Sequence, residues 1–229
     1  MYMKNLTLTI LLVLTGILVQ AQTTTETREL NAFDQLVVRN AIEVELKKGD
    51  KREIIITASG LEPDHVSAEI NKRKLILEMT GNNLKSSSVS VVVTYVQLNE
   101  IEAGSGARIL SADIIENQTL SLKATTSAYM EAEVKADQLI LEAETNAKMF
   151  IKGTADNLDY NAFTNAEIEA EGLLVKNAEI RTNTNAYGTF EVTESLSGTA
   201  ATRGRVIYTG DPKKIDVKES LGGTIEQKE

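Results

Sequence analysis

The sequence predicts an all-β fold: a short right-handed parallel β-helix (β-solenoid) with an N-terminal β-strand region capping it. Three observations carry that expectation. An eleven-residue phrase, Leu-x-h-x-Ala-x-Thr-Asn-Ala-x-h with h apolar, recurs six times, most clearly over residues 139–149 and 158–168. Its informative positions are spaced by two, the period of a strand rather than the 3.6 of a helix. The copies follow one another every 18 to 21 residues, about one winding of a stacked-coil protein.

From the N-terminus, residues 1–21 read as a signal peptide. Lys4 supplies the positive start, residues 6–19 are mostly apolar, and Val19-Gln20-Ala21 suits cleavage before Gln22. The apolar run falls short of the roughly 20 residues a membrane span needs. The chain has no Cys, so neither lipid attachment nor disulfides contribute, and stability must come from the β core. Residues 22–32 (QTTTETRELNA) read as a flexible leader. Residues 33–97 form a different β region, with strands expected at 36–38, 42–46, 54–57, 75–77 and 89–93, and turns at 47–50 and 81–83. They should extend the solenoid and cap its first coil, because a bare β edge invites association.

Residues 98–212 carry the repeat. Its first small residue falls at Ala103, Ala124, Ala143, Ala162, Thr182 and Ala200, and the apolar position two earlier at Ile101, Leu122, Leu141, Tyr160, Ile180 and, as an exception, Gly198. A hydroxyl follows two residues after the small one: Ser105, Thr126, Thr145, Thr164, Thr184, Thr202. Then come Ala107, Ala128, Ala147, Ala166, Ala186 and Gly204, and after them Ile109, Met130, Met149, Ile168, Gly188 and Val206. Period two predicts that all of these share the buried face, with the hydroxyls stacked as an internal ladder that bonds neighbours or carbonyls. Beside the hydroxyls stand Asn146, Asn165 and Asn185, residues tolerant of positive φ, which predict a bend with a left-handed residue and stacked amides. The link 152–157 (KGTADN) reads as a turn between copies. Six coils about 4.8 Å apart span about 24 Å. Residues 213–229 should close the far end, with a last strand near 216–218 and a loose tail beyond Ile225.

The chain resembles the bacterial family described as "putative auto-transporter adhesin, head GIN domain". The resemblance covers about residues 33–212 and rests on Phe33-Asp34-Gln35-Leu36-Val37-Val38, Ile42-Glu43-Val44, Ile101-Glu102-Ala103-Gly104-Ser105-Gly106-Ala107, the repeated small-x-Ser/Thr-x-Ala phrases, the closing Val206-Ile207-Tyr208-Thr209-Gly210-Asp211-Pro212, and Gly222-Gly223. It implies an exported protein with a β-helix-like fold, and adhesion by the family's name. It brings no catalytic residues. Asn-Ala replaces the family's Gly-Ala at the later bends, which alters only their surface.

Chemistry is sparse. His65, the one imidazole, follows Pro63-Asp64 in a turn; there is no Cys nucleophile and no phosphate-binding glycine loop. The Glu pairs 131/133, 142/144 and 167/169/171 fit a solvated outer face and do not repeat one position, and the calcium-binding nonapeptide of β-helices is absent. No catalytic residue, metal site or cofactor is therefore assigned. A net charge of −9, or −10 once Lys4 leaves with the leader, disfavours nucleic acid as a partner. The best candidate binding surface is the outward row Arg108, Tyr129, Lys148, Glu167, Tyr187, Arg205, with Phe163 one bend away; aromatic and charged groups together suit a glycan or a cell-surface protein. The expected function is a non-enzymatic binding or adhesion module in the periplasm, on the outer-membrane surface or outside the cell. The alternatives are a polysaccharide-cleaving enzyme on a β-helix scaffold and a purely structural envelope protein.

Overall fold

A computed structural model describes residues 23–81 and 88–228; the expected signal peptide lies outside them. The strands are β1 (Thr23–Glu29), β2 (Gln35–Val38), β3 (Glu43–Lys48), β4 (Glu53–Ser59), β5 (Val66–Asn71), β6 (Lys74–Met79), β7 (Ser88–Tyr95), β8 (Glu100–Ala103), β9 (Arg108–Ser111), β10 (Ile115–Thr125), β11 (Tyr129–Glu144), β12 (Lys148–Phe163), β13 (Glu167–Thr182), β14 (Tyr187–Ala200), β15 (Arg205–Thr209), β16 (Lys214–Glu219) and β17 (Thr224–Gln227). All pair into one continuous sheet wound on itself.

The solenoid has two walls. The first stacks β6, β2, β8, β10, the C-terminal halves of β11 to β14, and β16. The second stacks β7, β3, β9, the N-terminal halves of β11 to β14, β15 and β17. Every one of these pairs is parallel, as winding demands. Only β1 on β4, β4 on β7 and β5 on β6 are antiparallel, and they finish the N-terminal end. A long strand serves both walls by slipping phase once. In β11, Met130, Ala132, Val134 and Ala136 point inward, then Asp137 and Gln138 both stay out, and Leu139, Leu141 and Ala143 resume the inward series. Two outward residues in succession turn the corner. The link 152–157, expected as a turn, is the same corner inside the unbroken strand β12.

The bends between walls explain the repeat. At Thr145 and Asn146 φ is +52° and +61°, and the pair recurs at Ser105/Gly106, Thr126/Ser127, Thr164/Asn165, Thr184/Asn185 and Thr202/Arg203. The residue after each pair bonds back across the turn, as Ala147 N–H does to Glu144 O at 3.2 Å. Two left-handed residues in a tight turn are the pattern of a type I′ turn. The second N–H of each pair donates to the first carbonyl of the pair one winding on: Gly106 to Thr126, Ser127 to Thr145, Asn146 to Thr164, Asn165 to Thr184, Asn185 to Thr202, Arg203 to Leu221. Ala41 donates likewise to Ser105. The bend thus recurs at Asn40/Ala41 and Leu221/Gly222, where the sequence carries no hydroxyl, so eight bends stack rather than the six expected.

This geometry corrects the internal hydroxyl ladder. Ser105, Thr126, Thr145, Thr164, Thr184 and Thr202 are all exposed, because a left-handed residue interrupts the two-residue alternation and turns its side chain out. The small residues on either side remain buried. The column exists, on the outer ridge, held by backbone bonds, with Asn185 Nδ2 donating to Asn165 Oδ1 at 3.1 Å.

Two exceptions in the core columns account for each other. Tyr160 stands in the Leu122–Leu141 column and is fully buried, and its hydroxyl donates to Tyr187 O at 3.3 Å. Gly188 stands in the Met130–Met149–Ile168 column, where any Cβ would coincide with that hydroxyl. The ring crosses the interior and glycine makes the room. Residues 22–32 are not a free leader: Thr23–Glu29 forms β1, whose β-prone threonines pair along the otherwise open edge of β4. The tail is not loose either. β16 and β17 add a last winding, and Lys228 N–H still reaches Tyr208 O at 2.9 Å.

Candidate binding surface

The second wall is where the sequence-derived row assembles. Arg108, Tyr129, Lys148, Glu167, Tyr187 and Arg205 sit in register on successive strands, each the first strand residue after a bend. Alternation then points them outward, since Ile109, Met130, Met149, Ile168 and Val206 beside them fill the core. Phe163 lies elsewhere. It pairs with Glu144 on the first wall, across the bend from the row.

Within the row, charge and aromatic groups are paired off. The Arg108 guanidinium lies 3.8 Å from the centroid of the Tyr129 ring. Lys148 Nζ is 2.6 Å from Glu167 Oε2, and Arg205 meets Glu226 at 2.9 Å. A second outward column runs two residues further along: Glu131, Phe150, Glu169. Tyr129 and Phe150 are 5.3 Å apart between centroids, tilted by 33°, and the Tyr129 hydroxyl donates to Glu131 Oε2 at 2.9 Å. Sequence reading missed Phe150. Its signal was available, as Phe150 follows Lys148 by two and so shares its outward phase.

A bulge turns this surface concave. β13 carries extra residues between Glu169 and Leu174 relative to both neighbours, so the register shifts on either side. The bulge takes Ala170 N–H off the ladder, and the buried Thr189 hydroxyl accepts it at 3.0 Å. A groove of about 270 Å³ results, lined by Glu131, Phe150, Lys152, Glu169, Glu171 and Gly172. Glu169 of the groove differs from Glu167 beside it in the row. The hydrogen-bonded Lys148 ammonium holds Glu167 below the ordinary carboxylate range, while partial burial, and then the neighbouring Glu167, raise Glu169.

Other polar features are structural. At the corner opposite the bends, Gln138, Asn157, Asn177 and Ser195 stack in register, with Ser195 Oγ on Asn177 Oδ1 at 2.7 Å and Asn177 Nδ2 on Asn157 Oδ1 at 3.2 Å. Their spacing of 18 to 20 residues was readable but carried no apolar signature. His65 sits in the 3-10 turn Pro63–His65 at the N-terminal end, far from the row in the fold, with Nδ1 3.3 Å from Glu62 O. Among the described residues no three His, Cys, Asp or Glu side chains converge as metal ligands would.

Solved structures share this fold. A putative adhesin from Bacteroides fragilis NCTC 9343 superposes with a TM-score of 0.80 at 16% identity, over 91% of this chain and 98% of that one. A putative adhesin from Parabacteroides distasonis ATCC 8503 gives 0.72 at 17% identity, over 91% and 98%. A protein from the same organism described as a putative lipid binding protein gives 0.69 at 14%, over 90% and 97%. No curated protein matches. Residues 32–212 match the family described as "Putative auto-transporter adhesin, head GIN domain", and that span takes in both walls, the repeated bends and the groove. The chain belongs to that family.

Proposed function

We propose that the chain is an exported, non-enzymatic binding module whose second wall holds a glycan. The observation that carries this is the outward-facing, half-buried Tyr129–Phe150 pair beside a groove rimmed by Glu131, Glu169 and Lys152. Aromatic faces take the C–H face of a sugar ring, and carboxylates and an ammonium beside them can bond its hydroxyls. The parallel wall under the groove is rigid, so the site is formed before a ligand arrives. Export is supported by the reading of residues 1–21 and by the adhesin descriptions of the family and its structural relatives.

A glycan array probed with the purified chain tests the reading. Binding should fall at least tenfold in Phe150→Ala and Tyr129→Ala with melting little changed, and Phe163→Ala, on the other wall, should leave it intact. No binding to any glycan sinks it. Glu169, its carboxyl raised by partial burial and then by the neighbouring Glu167, is the group among the described residues that favours the polysaccharide-cleaving alternative. Shortened chains released from a bound polysaccharide, and lost in Glu169→Gln, would establish that alternative instead.

A further inference from the structure

The two ends of the solenoid are finished differently. At the N-terminal end, β1, β4 and β5 with the turn Pro63–His65 lie across the stack, and Phe33, Ile54 and Val66 beneath them are buried. At the C-terminal end, β16 and β17 are the last strands of their walls, each paired on one side. Ile215 continues the column of Leu196, which is fully buried, yet is itself 50% exposed. Leu221, at the last bend, is 79% exposed. Among the described residues four large apolar side chains are well exposed, and these are two of them. Val217 and Ile225, inward in the same winding, are only partly covered.

We propose that a second copy of this chain covers this end, β16 pairing antiparallel with β16 of the partner about a two-fold axis at Val217. Charge and the extent of the strand together select the register. The outward face of β16 reads Lys214, Asp216, Lys218, all exposed, and Ile215 and Val217 alternate with them. An antiparallel pairing that keeps inward residues inward must be centred on one residue of the strand. Centred on Asp216, it sets Lys214 against the partner's Lys218; centred on Lys218, it sets Lys218 against itself; centred on Ile215, it pairs Lys214 with Asp216 but runs off the strand, setting Val217 against Lys213. Centred on Val217, it sets Asp216 against the partner's Lys218, twice by symmetry. That register also brings Val217 onto its own copy with Ile215 on the diagonal, so the two partly covered Val217 side chains cover each other. Glu219 stands opposite the partner's Ile215 in this register; it is exposed, and its carboxylate accepts Ile225 N–H of its own chain at 2.7 Å. The N–H of Gly222, next in the chain of bend hydrogen bonds, lies at the same edge.

Sedimentation equilibrium of the purified full chain at tens of micromolar tests this. The parent should have the mass of two chains. Asp216→Lys and Lys218→Asp each set like charges opposite at two places, and each should weaken association at least tenfold. An equimolar mixture of the two variants restores both opposite-charge pairs and should re-form a dimer of one copy of each. Unchanged melting of each variant alone, at exposed positions, would show the fold intact. A monomeric parent overturns the proposal; so does a dimer that survives both substitutions, or a mixture that stays monomeric.

Discussion

Gly188 and Tyr160 compete for one volume, which makes them the most sensitive pair in the core. Gly188→Ala should cost about 1–3 kcal/mol by overpacking, and Tyr160→Leu leaves a void. Combined as Tyr160→Leu with Gly188→Ile, they rebuild the Leu and Ile filling of the neighbouring windings and should recover most of the loss; denaturant melts of the parent, Tyr160→Leu, Gly188→Ile and the double variant measure the coupling. At the bend, Thr145→Pro asks a ring fixed near −65° to take φ of +52°, and should destabilise sharply in the same assay. Alkali gives a third test. Burial pushes the Tyr95 phenol up to about 12, with Asp113 adding to it, and burial raises Tyr160 as well. Unfolded tyrosine ionises near pH 10. Their contribution is therefore whole below about pH 10 and is lost as pH climbs toward the folded-state values, about 12 for Tyr95. Denaturation midpoints should fall between about pH 10 and 12, and fall less in Tyr95→Phe. The inward positions were legible at this scale because period two is a local rule. The hydroxyls were misplaced because that rule was carried through Thr126, Thr145 and Thr164, whose backbone leaves the β region.

β1 is an element held almost entirely by its backbone and one side chain. No residue in it is buried, but Arg28 bonds Glu26 at 2.8 Å, Val66 O at 2.8 Å and Pro63 O at 3.2 Å, tying the strand to the turn that closes this end. Removing residues through Glu29 uncovers the edge of β4 along Ile54 to Ala58. The truncated chain should melt earlier and scatter more light on heating. Ile215 and Val217 announce β16, expected near 216–218, but no apolar alternation announces β1 or β17, so propensity alone could not separate those two from loose chain. What makes them strands is the unpaired edge each one meets, which is tertiary information. β5 went unread for a related reason: it packs over the end of the stack and its burial is partial.

Across the whole molecule, the parallel register sets which side chains meet. Arg108 to Arg205 came together as read because one periodicity placed them all, whereas the groove depends on the β13 bulge, a local mismatch in winding length that motif reading averages away. In the parallel stack, backbone pairing joins each winding only to its neighbours, so stability should be distributed along the axis. Hydrogen exchange should be slowest in β11 to β13, which have a neighbouring strand on both sides, and faster in the β13 bulge and in β1, β16 and β17 at the ends.

Gln138 pairs with Asn157, and Leu139 with Leu158, at an offset of nineteen residues. Cutting out residues 139–157 and joining Gln138 to Leu158 would therefore present every column with a near-equivalent successor: leucine after glutamine, alanine for alanine, one threonine bend for another. Such a chain should fold into a rod shorter by about 4.8 Å, and small-angle scattering would register the change. Length in this molecule comes in whole windings, and evolution can alter its reach by adding or subtracting them without redesigning anything else.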